Sequence, residues 1–271
     1  PEGRREWVNP ADVDLTRDAK GKILCAKTKD GKDVVYDGIG TMSKSRNNGV
    51  DPQLLIEKYG ADTARLFIIF ASPPTHTLEW SDEGVEGSYR FLKRLWSYCA
   101  KFDQPGPGPT MADQPRKATR FEIHSVLRQA NYDLQKHQFN TVASAAMKIL
   151  NALERFSGGR NDVTAEGLSI LLRLLSPITP HVCHTLWREL GFGEDVMSAR
   201  WPEPEPAALE QDEIDYVIQV NGKTRGSVKV PKSADQSSMH AMAARAVAKY
   251  IGDQPIRKTI VVPGRLINIV V

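Results

Sequence analysis

A mainly α-helical protein with small α/β parts is predicted for this chain of 271 residues: an antiparallel helix bundle with short β-rich pieces on either side. Three observations lead there. Between residues 82 and 190, apolar residues recur at helical spacing, broken only by short stretches rich in Pro, Gly or Ser. On both flanks the pattern changes to short apolar runs separated by Asp-Gly, Asn-Gly or Pro-Gly, the punctuation of hairpins. Hydrophobic residues at 41% and charged residues at 25% suit ordinary globular domains and exclude collagen-like, mucin-like or wholly disordered chains.

The elements follow in order. In residues 1–40, Lys22 to Cys25 and Val34 to Tyr36 flank Asp30-Gly31 and predict a β-hairpin. Forty such residues make a poor core by themselves. Residues 41–49 are a polar loop, in which Gly49 is expected to take a left-handed turn. Asp51 then offers an N-cap before Pro52, for a helix ending at Gly60. Asp62 can cap a second helix over Thr63–Phe70, stopped by Ser72-Pro73-Pro74. In the bundle, Tyr89, Leu92, Leu95 and Trp96 should share an apolar face. A Pro-rich loop is expected over 103–115, then helices near 117–137, 140–156, 164–175 and 178–190. Residues 200–212, with Pro202, Pro204 and Pro206, predict a stiff linker that leaves the last module free to move. Residues 213–271 predict a ββαββ module: two strands around Asn221-Gly222, an Ala-rich helix over Ser237–Tyr250, and strands over Arg257–Val262 and Leu266–Val271.

The longest purely apolar run is Leu66 to Ala71, far short of the ~20 residues of a membrane span. The first residues form no apolar signal region. Cysteines 25, 99 and 183 are odd in number and far apart, so neither a disulfide framework nor a Cys-x-x-Cys metal site is expected. These features fit a cytoplasmic protein. Charge is unevenly placed: from residue 216 onward there are nine Lys or Arg against two Asp or Glu, while residues 1–215 carry a balance of −4. Such a basic end suits a polyanionic partner, and equally a solvated lysine-rich surface.

The chemically informative stretch runs from Thr41 through Met42, Ser43, Lys44, Ser45, Arg46, Asn47, Asn48, Gly49 and Val50 to Asp51-Pro52. A lysine between two serines can hold a polyphosphate through charge and hydroxyl hydrogen bonds. Many surface loops also contain Ser-Lys-Ser. The spacing is not that of a P-loop.

This stretch resembles the KMSKS signature of class I aminoacyl-tRNA synthetases. Its continuation resembles bacterial leucyl-tRNA synthetases: Asn47 to Pro52, Tyr59-Gly60-Ala61-Asp62-Thr63-Ala64-Arg65-Leu66, Leu78-Glu79-Trp80 and Phe91 to Trp96. Ser176 to His181 with Trp187 resembles their helical domain, and Val220 to Arg225 with Val262 to Leu266 their C-terminal domain. The resemblance covers nearly the whole chain. It implies that residues 1–40 end a leucine-specific insertion and that 41–81 carry the signature loop and the end of the catalytic domain. It makes 82–199 a helical anticodon-binding-type bundle and 213–271 a tRNA-contacting domain. No His-x-Gly-His sequence or long editing insertion is present, so the resemblance implies the C-terminal part of a longer enzyme, inactive alone. The first signature position is Thr41, where Lys is usual, and Arg46 is the nearby cation that could compensate.

The activity implied is activation of leucine by ATP and transfer to leucine tRNA, by a monomer, with magnesium accompanying the nucleotide and no metal cage in the protein. Lys44 would be catalytic, meeting the ATP phosphates, and Thr41, Met42, Ser43 and Ser45 would bind nucleotide beside it. Arg90, Lys93 and Arg94 would contact the tRNA backbone, or form a solvated helix face. Lys223, Arg225, Lys229, Lys232, Arg257, Lys258 and Arg265 would contact tRNA by shape and phosphate. His181 and His184 lie at i, i+3, but packing explains them better than a metal, and Trp80, Trp96 and Trp187 are expected in the core. Two other readings remain: a stand-alone RNA-binding protein, or a related class I ligase for valine or isoleucine.

Overall fold

The computed structural model describes residues 6–102, 113–156, 160–210, 213–252 and 254–271. The predicted loop over 103–115 therefore lies outside the described residues up to 112. The architecture is mixed, mainly helical, with two small sheets.

Strands β1 (Val13–Arg17), β2 (Ile23–Thr28) and β3 (Asp33–Val34) form an antiparallel sheet in that order. The β2–β3 turn contains Asp30-Gly31, with Gly31 at φ 88°. The β1 strand was not anticipated, although Val13-Asp14-Leu15-Thr16 alternates apolar and polar residues as a strand does. Of these three strands only Ala26 is buried.

Helix α1 (Pro52–Tyr59) begins as predicted: Asp51 accepts the Gln53 N–H and Pro52 stands at N1. Helix α2 (Ala61–Ala71) follows directly, with Gly60 as its N-cap at φ 85°. Asp62 is not that cap. It sits inside the first turn, 6% exposed, and bonds a distant segment.

The bundle comprises α3 (Asp82–Phe102), α4 (Asp113–Gln135), α5 (Phe139–Phe156), α6 (Asp162–Leu175) and α7 (Pro180–Glu189). Ion pairs Arg116–Asp162 and Arg120–Glu166 put α4 and α6 in the same direction. Arg155–Glu122 shows α5 returning between them. Such reversals follow from short connections like the one at 136–138. Asn161 and Thr164 form a capping box that starts α6. The core is continuous from Leu66 of α2 through Leu95, Leu127, Ile149, Leu150, Leu168 and Leu171 to Trp187. So Leu66 of α2 packs into the same core as the bundle.

Two apolar placements differ from expectation. Trp96 is 41% exposed, because the buried stripe of α3 is Val85, Ser88, Leu92, Leu95, Cys99 and Phe102. Trp80 is half-buried, edge-on to Phe67. Trp187 is buried as predicted.

The expected linker also behaves differently. Residues 200–209 lie along the bundle as a strap. Arg173 donates to the Arg200 carbonyl, and Trp201 Nε1 donates to Asn131 Oδ1. Asn131 donates to the Pro202 carbonyl, and Glu205 N–H donates to His124 Nδ1. Side-chain partners, not proline content, decide whether such a segment is free, and they are invisible in its own sequence. Residues 211 and 212 lie outside the described set.

The last module has β4 (Glu213–Val220), β5 (Lys223–Pro231), α8 (Gln236–Ala246), α9 (Ala248–Ile251), β6 (Lys258–Val262) and β7 (Leu266–Val270). Sheet order is β5-β4-β7-β6, with β4 and β7 parallel and the other pairs antiparallel. Asn221 and Gly222 both have positive φ, at 50° and 77°, the two-residue hairpin turn their sequence predicts. Tyr216, Ile218, Val220, Ile267 and Ile269 alternate inward and pack with Ala243 of α8, Ile251 of α9 and Val247 between them.

Candidate functional site

The loop carrying the signature folds around Asn48. Ser43 N–H donates to Asn48 Oδ1 at 2.7 Å, while Asn48 Nδ2 donates to the Thr41 carbonyl at 3.1 Å. One side-chain amide thus staples both ends of the segment. Between them Lys44–Arg46 make a single 3-10 turn, closed by Asn47 N–H donating to the Lys44 carbonyl at 3.2 Å. The left-handed residue is Asn47, φ 51°, and not Gly49 as expected. Asparagine adopts that region more readily than most residues. The role of Asn48 was missed in the sequence. The Asn-Asn pair beside a turn was the available signal.

Thr41, Met42, Lys44 and Ser45 are exposed and Ser43 is half-buried, its hydroxyl 3.3 Å from that of Ser45. The five predicted loop residues thus lie on one accessible segment, Lys44 and Ser45 in the turn and Thr41, Met42 and Ser43 leading into it. Arg46 does not lie free beside Lys44: its guanidinium stacks 5.8 Å from the Trp7 ring. It is thereby drawn toward the N-terminal segment.

Among the described residues, one trio of possible metal ligands comes together, His124, Glu166 and Glu205, and it belongs to the bundle and strap rather than the loop. It is already satisfied. Arg120 bonds both carboxylates, His124 Nε2 lies 3.0 Å from Glu166, and its Nδ1 accepts from Glu205 N–H. Burial tends to raise the Glu166 pKa, but Arg120 and His124 outweigh it and hold the carboxyl at about 2. His181 and His184 do not converge: His181 pairs with Asp62 at 2.8 Å and His184 with Asp195 at 3.4 Å.

The basic residues of α3 have separate roles. Arg90 is exposed and pairs with Glu86 at 3.7 Å, and Lys93 lies over the Tyr89 ring. Arg94 instead joins α3 to α5, donating to Asn151 at 2.6 Å and pairing with Glu154 at 3.4 Å. In the last module Lys223, Arg225, Lys229, Lys232, Arg257, Lys258 and Arg265 are all exposed. They do not form one stripe. Lys229 sits opposite Asp215 and Lys258 opposite Val270, on the sheet face turned away from the helices. Arg225 stacks at 4.9 Å on Tyr250 of α9, on the helical side. A one-residue bulge in the β4–β5 register between Ile218 and Gln219 sends Arg225 that way.

No described helix is long and apolar enough to cross a membrane. Cys99 and Cys183 are buried and Cys25 is exposed, all unpaired. Burial pushes the thiols of Cys99 and Cys183 up to about 12, which makes them unreactive.

Comparison with known proteins gives a consistent picture. Residues 32–81 match the class I tRNA synthetases for isoleucine, leucine, methionine and valine, and residues 117–240 match the anticodon-binding domain of tRNA ligases. Leucine–tRNA ligase of Aromatoleum aromaticum is 56% identical over 99% of this chain and 33% of its own length. The leucine–tRNA ligases of Azoarcus sp. and Leptothrix cholodnii are each 54% identical over 99% of the chain. The chain thus spans about one third of the length of these relatives. A solved leucyl-tRNA synthetase from Agrobacterium radiobacter K84, in a ternary complex with tRNA and LeuAMS, shares the fold with a TM-score of 0.69. That likeness covers 84% of this chain and 30% of the other, at 23% identity.

Proposed function

The chain belongs to the leucyl-tRNA synthetase family, and on that premise we propose that it supplies the phosphate-binding loop and tRNA-binding parts of a leucine–tRNA ligase. The full-length enzyme activates leucine with ATP, releases pyrophosphate, and transfers leucine to its tRNA in the cytoplasm. In this reading residues 41–81 end the catalytic domain, 82–199 are the bundle that holds the tRNA, and 213–271 are a separate contact domain.

The observation that carries the reading is the loop itself. It exposes Lys44 and Ser45, closes on Asn48, and leads through Asp51 straight into α1. As pyrophosphate leaves, negative charge grows on the β- and γ-phosphates. A lysine that meets those oxygens better in the transition state than in the ground state raises the rate rather than the affinity. Lys44 has that role, with the hydroxyls of Ser43 and Ser45 and the backbone N–H groups of the turn as neutral donors. Thr41 and Met42 border the nucleotide. Magnesium arrives with the ATP phosphates, and no step by the protein's own residues depends on a cage for it.

Arg90 and Lys93 contact the tRNA backbone from α3, and Arg94 contributes mainly through its hold on α5. The two-faced arrangement of basic residues in the last module supports contact by shape and phosphate rather than one flat platform.

The test is leucine-dependent ATP–pyrophosphate exchange by the full-length protein, followed by charging of leucine tRNA against isoleucine tRNA. Exchange that responds to leucine, with charging of leucine tRNA alone, supports the reading. Exchange driven by valine or isoleucine overturns it. Neutralising Lys223, Lys229, Lys232, Arg257, Lys258 and Arg265 together should weaken tRNA binding and flatten its salt dependence. Exchange should remain.

A further inference from the structure

Two residues of α2, one helical turn apart, grip the entrance to α7 from across the sequence. Arg65 Nε donates to the Ile178 carbonyl at 2.8 Å and its Nη2 to the Pro177 carbonyl at 2.9 Å. Asp62 Oδ2 accepts the Val182 N–H at 2.7 Å, and its Oδ1 lies 2.8 Å from His181 Nδ1. Val182 is the third residue of α7, so Asp62 caps that helix from another helix. Its negative charge meets the positive end of the α7 dipole. Thr179, at the N-cap position, makes no side-chain cap hydrogen bond, so Asp62 does that work. Asp62 is almost fully enclosed and its neighbour Leu66 is wholly so.

The other side of α2 is fixed too. Phe67 packs so closely on the first turn of α3 that a Cβ at Gly84 would stand 2.7 Å from its ring. Tyr59, closing α1, meets Tyr89 edge-on at 5.6 Å and reaches Glu86. The loop, α1 and α2 are consecutive, with Gly60 alone between the helices and Asp51 tying the loop to α1.

We infer that Asp62 and Arg65 are positioning residues that set the orientation of the signature loop relative to the helix bundle, by clamping α2 to the start of α7. This rests on the loop having the role given above. A guanidinium on two adjacent carbonyls and a carboxylate on a helix start fix direction as well as distance, because each contact is directional and multidentate. Apolar contact alone would let α2 slide or roll in its groove. Movement of the bundle therefore reaches Lys44 as a change in loop position.

The test uses the full-length protein with Arg65→Lys and Asp62→Asn. Lysine keeps the charge of Arg65 but cannot fork across two carbonyls. Asparagine keeps an acceptor for Val182 N–H but removes the charge. Each variant is measured for exchange, for tRNA affinity, and for hydrogen exchange of backbone amides over residues 41–60. The expected result is a five- to fifty-fold fall in kcat of exchange with KM for leucine unchanged, unaltered tRNA affinity, and faster hydrogen exchange in 41–60. Variants with wild-type loop protection and kcat within twofold of the parent would overturn the inference. Lower melting temperature without those changes would also overturn it, since it would mark the clamp as mere packing. If the parent protein shows no leucine-dependent exchange, the functional reading has failed instead. The clamp is then judged by loop protection alone.

Discussion

The helix bundle and the signature loop hold their shapes in opposite ways. In α5 and α6, Ile149, Leu150, Leu153, Leu168, Leu171 and Leu172 are completely enclosed. In residues 41–50 none is buried, and the turn rests on one asparagine side chain and a few backbone bonds. Space dictates the side chains of the bundle. In the loop, what the side chains must meet dictates them. A substitution in the first region should therefore register as lost stability, and one in the second as lost chemistry.

The sharpest way to break that contrast is Lys44→Ala in the full-length protein. Leucine-dependent exchange should fall by about 10²–10³, the usual loss for one preorganised electrostatic donor. The melting temperature should stay with the wild type, because Lys44 is exposed and outside the core. Unchanged exchange would refute its assigned role.

The counterpart in the bundle is Leu171→Ala. Leu171 is 0% exposed at the centre of the continuous core. Loss of its side chain should cost about 2–5 kcal/mol through lost transfer energy and a residual cavity. Denaturant unfolding measures it. A cost below ~1 kcal/mol would mean that the surrounding helices collapse into the gap.

Gly167→Ala sharpens the comparison from the other direction. Alanine gains about 1 kcal/mol in helix propensity over glycine. Its Cβ, however, would lie 2.7 Å from Leu153 Cδ2 and 2.9 Å from Ile123 Cδ1. Both neighbours are buried in α5 and α4, so neither can swing aside freely. Overpacking costs about 1–3 kcal/mol, and net destabilisation near 1 kcal/mol is expected in the same unfolding experiment.

The contrast also explains what could be read from the sequence. Periodicity located every bundle helix, because burial forces apolar residues into register over three or more turns. Caps at Asp51 and the Asn221-Gly222 turn were legible because their hydrogen bonds are local. Asp62 misled for the same reason: a carboxylate at a helix start reads as its own cap, and its real partner is 120 residues away. The strap at 200–209 misled likewise, since Arg120, His124, Asn131 and Arg173 hold it from other helices. Trp96 misleads because it follows Leu92 by four residues, at helical spacing, yet falls beside the buried stripe that runs on through Leu95 and Cys99. The loop itself came through resemblance of its motif. Its closure by Asn48 and the left-handed Asn47 did not, because two adjacent asparagines leave open which one turns and which one bonds.

The smallest effect concerns the strap, which lies along the enclosed region and is held to it by exposed polar and charged groups as well as by packing. Arg120 bonds Glu166 of α6 and Glu205 of the strap at once, and His124 completes the group. Burial raises the Glu166 pKa, and the hydrogen bonds and charges of Arg120 and His124 bring it down to about 2, below its ordinary 4.5. A carboxylate with a depressed folded-state pKa binds fewer protons when folded than when unfolded. Its contribution to stability is therefore fully present above about pH 4.5 and is lost as pH falls toward 2. The same pairing raises the Arg120 pKa further above its ordinary value, so the guanidinium stays charged throughout. In Glu166→Gln, the gap in melting temperature from the wild type should be constant at neutral pH and narrow below about pH 4.5. Glu205→Gln should give a smaller gap, because its side chain is 50% exposed and water screens its pairing. An acid limb identical in wild type and Glu166→Gln would show that the ionised Glu166 adds nothing to stability through its pairing with Arg120 and His124.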